Sequence, residues 1–547
     1  MKLNVLAAAA AFTFCSTIVF GQNLTSISGT VSDITGAAIP GATVRIENLG
    51  TQANRTVVSD SQGTYTIAQV APGDYRLVGK ASGFDDVVVN GIRLMVSSPA
   101  TVNVRFEKIG SVSAVVEVTA ETTQINTADA SIGNAFGTKP IIQLPFEGRN
   151  VVGLLSLQPG VSFLPPEQQG TLTVADRSGS VNGGRSDQAN VTLDGVDVNE
   201  QQTREAFKSV LRVTLDSVQE FRVITTNANA DLGRSSGAQI SLVTKGGTNR
   251  MHGSAYEYLR NKKTNANSFI NNAAGVPLAK LNRNVFGASL GGPIRKDRLF
   301  YFLNYEGRRD RREDSVLRTV PSATLREGTV RYIRADNSIA TLTSQDLAQR
   351  LDPRGIGANS AALQILRQYP LPNSSEIGDG LNSGGYRFNS PIGVRQNTYI
   401  AKFDYIVNRN TNVFVRGNLQ NDNDTDPQQF LGQTPRFLNL ENSKGFAFGA
   451  TSSIRPSLLS TTRYGFTRQG LENSGASFVA QVSFRTFDDI YPITRSFRRF
   501  SPVHHLAQDF NWIKGSHNVA FGGSLRRLAC QGKVESSSFE QSRKFRF

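Results

Sequence analysis

The amino-acid sequence predicts an all-β chain in three parts: a small N-terminal β-sandwich, an α+β middle unit, and antiparallel β-structure that crosses a membrane. Three observations point there. Residues 23–108 break into short strand-like runs between Pro-Gly and Gln-Gly turns, and residues 122–247 are rich in Gly, Asn, Asp and Thr without a long apolar helix. From His252 onward, runs of alternating apolar and polar residues recur, each closed by a turn. A chain of 547 residues with 39% hydrophobic content and Gly 50 is too long for one ordinary domain and fits loop-rich β architecture better than a helical one.

The first 21 residues read as a secretory leader. Lys2 makes a basic start, Val5–Phe20 an apolar core, and Val19 and Gly21 occupy the positions that a signal peptidase reads, which predicts cleavage before Gln22. The apolar run is shorter than the roughly 20 residues of a spanning helix, so an uncleaved anchor is the weaker reading. Phe14 ahead of Cys15 argues against a lipoprotein. No later apolar run approaches spanning length, so membrane residence requires β-structure. Cys15 belongs to the leader, which leaves Cys530 as a single thiol and no internal disulfide.

Lys+Arg 59 against Asp+Glu 44 gives a net charge of +15. The basic residues are dispersed and accompany no helix-turn-helix, zinc-finger or RNP-type pattern, so no nucleic-acid partner is expected. Clusters such as Arg308–Arg312 are expected at strand ends, on a solvated rim or against anionic headgroups of outer-membrane lipid.

In the first unit the runs ISGTVSD, ATVRIEN, RTVVSD, GTYTIAQV, GDYRLVGKA, DDVVVN and TVNVRFEKI have the length and spacing of sandwich strands. GTVSDITGAAIPGATVRIEN followed by SDSQGTYTIAQVAPGDYRLVGKASGF resembles the carboxypeptidase-regulatory-like domain, a transthyretin/Ig-like β-sandwich, over residues 22–109. A zinc peptidase needs nitrogen or carboxylate ligands around an open position. The histidines His252, His504, His505 and His517 all lie outside this unit, and none begins an H-x-x-E or H-E-x-x-H pattern. No catalytic residue, metal or cofactor is therefore expected, and the unit reads as a binding module or spacer.

Further on, LPFEGRNVVGLLSLQPGV, VNGGRSDQANVTLDGVDVNE, SVQEFRVITTNANADLGRSSGAQISLVTKGGTN and HGSAYEYLRN follow one another in an order that resembles the plug of TonB-dependent outer-membrane transporters, nearest to the Oar-like group. The plug spans residues 122–250 in this reading. A plug fills a wide polar bore and needs tight turns, which Gly183, Gly184, Gly195, Gly233 and Gly237 supply. Asn182, Arg185, Asp194, Asp197 and Arg234 complete the motif. Asp194 and Asp197 are read as turn-capping groups rather than a metal pair. Ahead of the plug, the linker 110–121 contains SVSAVVEVTA, an extended run suited to edge-on pairing with another sheet. The resemblance implies that Val115, Val116, Glu117, Val118 and Thr119 form the TonB box, grasped by a TonB-type energy-transducing protein in the periplasm.

Residues 251–547 carry the barrel pattern. Tyr399, Ala401, Phe403, Tyr405 and Val407 alternate with Lys402 and Asp404, and Leu299, Tyr301, Leu303 and Tyr305 share a face opposite Asn304, Glu306 and Arg308. Strands of roughly ten residues are expected, with short turns alternating with long connections over Arg311–Arg395 and Gly470–Pro502. NDNDTD at Asn421–Asp426 lacks the glycine and distal glutamate of a calcium loop and is expected in a solvated loop. About nine or ten strands precede Phe547, where plugged transporters have about 22, so the barrel reads as incomplete and the chain as a fragment. Phe545 and Phe547 imitate an aromatic barrel ending, but Gln541 and Arg543 break its alternation.

The expectation is an outer-membrane receptor that imports a bulky solute by TonB-coupled rearrangement of the plug. The residues leave open an oligosaccharide or other carbohydrate, a peptide or a metal chelate. The rival reading is a surface protein for adhesion or matrix attachment without transport.

Overall fold

The computed structural model describes residues 24–106, 115–119, 130–143, 149, 151–163, 179–184, 188–201, 209–229, 232–233, 235–475, 482–492, 496–514, 517–529 and 531–535. The expected leader and the chain's last residues lie outside them.

The first unit is a sandwich. Its strands are β1 (Thr25–Ser32), β2 (Thr43–Asn48), β3 (Asn54–Val58), β4 (Thr64–Val70), β5 (Gly73–Lys80), β6 (Asp86–Leu94), β7 (Ala100–Thr101) and β8 (Val104–Arg105). One sheet runs β4-β1-β7, with β8 also on β1, and the other runs β3-β2-β5-β6. Alternation along β1 buries Thr25, Ile27, Gly29 and Val31, and these meet Val44, Ile46, Leu77, Ile92 and Phe106 in a dry core. Tyr65 crosses that core and donates its hydroxyl to the Val102 carbonyl at 2.6 Å, which satisfies the one polar atom its burial brings inside. β9 (Val115–Thr119) adds to the second sheet as a parallel partner of β6, in register from Asp86 with Val115 to Asn90 with Thr119.

The middle unit holds β10 (Ile132–Gly137), β11 (Val161–Phe163), β12 (Gly179–Val181), β13 (Asn190–Leu193), β14 (Val196–Asp197), β15 (Val218–Thr226) and β16 (Gln239–Thr244), with a short helix at Thr138–Gln143 and a 3-10 turn at Val151–Leu157. Its main sheet runs β10-β15-β16-β13-β14, with β13 and β16 parallel and the rest antiparallel, and β11 pairs with β12 apart from it. Every residue of β13, β14 and β16 is buried, polar ones included. On one face Phe221, Val223, Ile240 and Leu242 pack on Leu154 and Leu155, while Glu220 and Arg222 on the other face of β15 reach the first unit.

The third unit is a wall, an antiparallel sheet with 11 strands among the described residues. In chain order they are β17 (His252–Asn261), β18 (Leu281–Arg295), β19 (Leu299–Pro321), β22 (Ser383–Asn408), β23 (Thr411–Thr425), β24 (Leu438–Glu441), β25 (Lys444–Arg455), β26 (Leu458–Ser474), β27 (Ser496–Lys514), β28 (His517–Leu528) and β29 (Gln531–Glu535). A small hairpin, β20 (Val330–Ile333) with β21 (Ile339–Leu342), stands in the connection between β19 and β22. Connections at one end are the short turns 296–298, 409–410 and 456–457, and those at the other are the long segments 262–280, 322–382, 426–437 and 475–495. The first unit sits at the short-turn end: the Asn249 N–H donates to the Gly50 carbonyl at 2.9 Å, and Thr461 donates to Gln69 at 2.9 Å. At the far end Val320 of β19 joins Leu366, Tyr369, Phe430 and Ile490, from three of the long segments, in an apolar cluster of their own.

Alternation holds as the sequence predicts. Leu303, Tyr399, Phe403 and Tyr405 face outward and are exposed, whereas Asn304, Lys402, Arg416 and Asn418 face the middle unit and are buried. Strand length does not: the strands run to 23 residues in β19 and 26 in β22, against an expected ten. About ten residues suffice to cross hydrocarbon, but hairpin ladders continue into water, where nothing enforces apolar outward residues. The extra length was therefore invisible in the alternation. For the same reason Arg308–Arg312 lies within β19 rather than at a strand end, and Asn421–Thr425 belongs to β23 rather than to a solvated loop. The long connections shrink accordingly from both sides.

Candidate functional site at the plug and wall interface

The inner face of the wall carries charge, and the middle unit answers it. Arg149 reaches across the interface: Nη2 lies 2.6 Å from Asp216 of its own unit and 3.3 Å from Glu306 of β19, while Tyr256 donates to the same Glu306 oxygen at 2.7 Å. The guanidinium also lies 4.8 Å from the ring centre of Tyr256 and 4.4 Å from that of Tyr258. Side-chain exposures of 13%, 9% and 10% for Arg149, Asp216 and Glu306 make this a buried triad. Asp216 is held in place by a 3-10 turn, Leu215–Ser217, whose N-cap Thr214 accepts from Ser217 and donates to Asn304 of the wall at 2.8 Å.

A second lock forms at the tip of the β13–β14 hairpin. Asp194 and Gly195 take φ of 48° and 80°, the left-handed pair that a two-residue hairpin requires. The turn projects the Asp194 carboxylate toward Arg416 Nε at 3.0 Å and Lys402 Nζ at 3.5 Å, and the carboxylate also accepts from the Thr244 N–H at 3.0 Å and its hydroxyl at 2.8 Å. Burial works to raise this carboxyl, but Lys402, Arg416 and the two Thr244 donors outweigh it and hold the group below the ordinary aspartate value. Asp197 accepts from the Asn199 backbone and side chain at 2.9 and 2.7 Å and pairs with Arg526 of β28 at 3.1 Å. Both aspartates thus do more than cap a turn: they join the hairpin to the wall. Elsewhere Arg212 forms a two-pronged contact with Asp422 at 2.9 and 2.6 Å.

Apolar side chains fit the same interface by means of wall glycines. A Cβ at Gly465 would overlap Val196, and one at Gly445 would overlap Leu211. The remaining motif residues that are described make contacts within the plug. Asn182 and Gly183 have φ of 49° and 75°, and Asn182 donates to the Thr225 carbonyl at 3.1 Å. The Gly233 carbonyl accepts from Gln239 at 3.2 Å, and the Gly237 N–H donates to the Gln188 carbonyl at 3.0 Å. Arg185 and Arg234 lie outside the described residues. The structure therefore unites Asp194, Gly195 and Asp197 at the wall, puts Asn182 and Gly183 in a left-handed turn closed by the Gly184 N–H on the Val181 carbonyl, and leaves Gly233 and Gly237 in irregular chain ahead of β16.

The first unit is clamped to the plug through one peptide. The Val96 N–H donates to Glu220 at 2.7 Å, and Arg222 donates to the Val96 carbonyl at 2.9 Å. Burial pushes Glu220 up from its ordinary 4.5 to about 7, against the opposing pull of the Val96 N–H, Arg93 and Arg222. A cleft of about 1090 Å³ remains between the three units, lined among others by Arg93, Lys245 and Asp404. Val115–Thr119, the segment expected to act as the TonB box, is present as β9, with its backbone paired to β6.

Sequence reasoning missed Arg149, Arg212 and Glu220. Arg149 lies within the quoted run LPFEGRNVVG and Asp422 within NDNDTD, so each was in view without its partner. The inward alternation of Lys402 did foretell a group facing the bore.

Comparison with known proteins places these features in a group. The family described as "Outer membrane beta barrel domain" matches residues 243–547, and "Carboxypeptidase regulatory-like domain" matches residues 26–107. A TonB-dependent transporter, Oar, from Myxococcus xanthus is 30% identical over 302 residues, which are 52% of this chain and 27% of that protein. The chain thus spans about a quarter of that relative's length. Among solved structures, the outer membrane transporter YddB of Escherichia coli is similar with a TM-score of 0.47 at 10% identity, over 73% of this chain and 48% of that one. The siderophore receptor PirA of Acinetobacter baumannii gives 0.44 at 11%, over 72% and 47%.

Removing one partner of a buried ion pair strands the other, so Arg149→Ala is expected to weaken the seating of the plug by about 3–5 kcal/mol. Chemical denaturation followed by hydrogen exchange in β15 measures this, and Arg149→Lys is expected to restore little because it lacks the planar fork. Gly465→Ala is expected to displace the hairpin at a cost of about 1–3 kcal/mol, and Val196→Ala in the same chain to recover part of that cost. The raised pKa of Glu220 makes the clamp strongest below about pH 4.5 and progressively weaker as pH rises through about 7, by on the order of 3 kcal/mol in all. Glu220→Gln is expected to flatten that dependence of the Val96 amide's exchange protection.

Proposed function

Because this chain belongs to the outer membrane β-barrel family and carries a carboxypeptidase regulatory-like domain ahead of its barrel, we propose that it is a TonB-dependent receptor importing a bulky solute across the outer membrane. In this reading residues 1–21 are a leader, 22–109 the regulatory-like module, 110–121 the linker with the box, 122–250 the plug and 251–547 the wall. The protein performs no chemistry of its own. A solute such as an oligosaccharide, a peptide or a metal chelate binds among the long connections and the plug. A TonB-type protein then pulls on Val115–Thr119 with energy relayed from the inner membrane.

The observation that carries this reading is the kind of contact that seats the plug. Its own core is apolar, built on residues such as Leu154 and Phe221, while its seat in the wall depends on ion pairs such as Arg149–Glu306, Asp194–Arg416 and Arg212–Asp422. Water entering such a seat solvates both partners of each pair as they separate, so a pull opens the seat at lower cost than it opens the core. A plug that only stoppered an adhesion scaffold has no use for that difference.

The β9–β6 pairing supports a defined first step. A TonB-type protein takes an extended segment by strand addition, and β9 is already an extended strand at the edge of the module's sheet. Deleting residues 114–120 is expected to abolish capture of the purified protein by the periplasmic domain of a TonB protein and to stop energy-dependent uptake. Surface attachment and the heat-modifiable migration of the barrel are expected to stay unchanged. Uptake that survives the deletion would remove the transport reading and leave adhesion.

A further inference from the structure

The outward face of the wall holds a feature that transport does not use: cations set directly opposite one another across neighbouring strands. Arg309 of β19 is in register with Arg395 of β22, and Lys444 of β25 is in register with Arg468 of β26. Like charges in this arrangement destabilise a sheet unless something between them carries the opposite sign. Both pairs lie on the lipid side. Arg309 is four residues from Tyr305, and Arg395 four from Tyr399, so each shares its strand face with an outward ring. Lys444 is in register with Leu419, itself in register with Tyr399, which puts the second pair on the same face as the first.

Their height on the wall is also the same in kind. Just below the first pair, on the side of the short turns, Phe286, Tyr305 and Tyr399 form a band, with ring centres 6.1 and 4.9 Å apart in sequence. Below the second pair lie Phe446, Phe466 and His504, the last two 5.0 Å apart. Bands of aromatic rings mark the edge of hydrocarbon, so each cationic pair stands just beyond that edge, toward the long connections. Arg311, one outward step past Arg309, adds a further exposed cation.

Among the described residues no carboxylate forms an ion pair with Arg309, Arg311, Arg395, Lys444 or Arg468. The outward acids beyond them are engaged by other cations, Glu313 by Lys280 and Glu472 by Arg498, each at 3.3 Å. Glu257 stands on β17, two strands away from Arg309 on β19 and three from Arg395 on β22. Arg309 is aimed rather than free: it lies 5.6 Å from the Phe286 ring centre and donates to Asn397 at 2.7 Å. Arg468 likewise lies 4.8 Å from the ring centre of Phe500.

We infer that Arg309, Arg311 and Arg395, and separately Lys444 with Arg468, form a collar that binds the phosphate groups of lipid in the outer leaflet. A phosphate between two guanidinium groups accepts from both and removes the repulsion that the ladder register imposes, while acyl chains run down over the aromatic band. The inference rests on the wall spanning a membrane and is independent of whether the protein transports anything.

The test uses the full chain in neutral detergent micelles doped with a lipid carrying two phosphates on a glycolipid headgroup, its dephosphorylated counterpart, or phosphatidylcholine. Thermal unfolding and retained lipid phosphorus are read at low and high salt. The unmodified chain is expected to retain the phosphorylated lipid and unfold at a higher temperature with it than with the other two. Arg311→Gln with Arg395→Gln is expected to weaken retention roughly fivefold per charge removed at low salt. Arg395→Lys with the other cations intact is expected to keep most of it, which separates loss of charge from loss of fold. Equal retention of the dephosphorylated lipid, or unchanged retention by the charge-removed variant, overturns the proposal. So does equal stabilisation by inorganic phosphate at the same concentration, because the site would then answer to a free anion.

Discussion

Charge turned inward from a lipid-facing sheet constrains everything else in this molecule. A strand with acyl chains on one side must place its polar residues on the other, and once a folded unit fills that side, neither lipid nor bulk water solvates them. Arg416 has 1% of its side chain exposed and the Asp194 that faces it 4%. Neither is tolerable alone at that burial, so plug and wall specify each other residue by residue. The glycines follow from the same constraint: Gly465 and Gly445 are the places where apolar plug side chains, Val196 and Leu211, come against the wall's backbone.

This arrangement sorts the contacts into two mechanical classes. Leu154, Leu155, Val191, Phe221 and Ile240 hold the plug together through apolar burial, which no nearby water can replace. Ion pairs, with Val196 and Leu211 fitted between them, hold it in place, and water can replace the pairs one by one. The plug is therefore more firmly joined to itself than to its seat. The clamp of Glu220 and Arg222 on the Val96 peptide extends the polar class to the module, and the depth of Glu220's burial, which raises its pKa, makes it the one charged contact of the set whose strength changes near neutral pH.

Much of this was legible in the residues, for definable reasons. The alternation of Tyr399, Phe403 and Tyr405 with Lys402 and Asp404 told which side of β22 faces outward, because lipid enforces that pattern. The extent of β19 and β22 was not legible, because beyond the membrane the ladder is maintained by backbone bonds that carry no side-chain signature. Asp194 and Asp197 were half legible: a turn at Leu193–Val196 follows from Asp-Gly, but the cations opposite come from positions more than two hundred residues away. Arg149 shows the same limit, since a lone arginine in a glycine-bearing run gives no hint that its partner is Glu306.

The order of strands in the plug's sheet decides what a pull can reach first. The linker after β9 leads to β10, which lies at one edge of the order β10-β15-β16-β13-β14. The hairpin that carries Asp194 and Asp197 lies at the opposite edge, bound to Lys402, Arg416 and Arg526. Tension along the linker therefore loads the β10–β15 ladder before it loads that lock. An edge strand drawn from one end yields its backbone bonds in succession, and β10 is largely exposed, so it parts before tension reaches the ion pairs of the lock. β15, the strand that β10 leaves, is also the strand whose Glu220 and Arg222 grip the module. Stripping β10 exposes the neighbour of that clamp to water, so the contact between module and plug weakens as a direct consequence of the first bonds to break, while the wall-side lock stays closed.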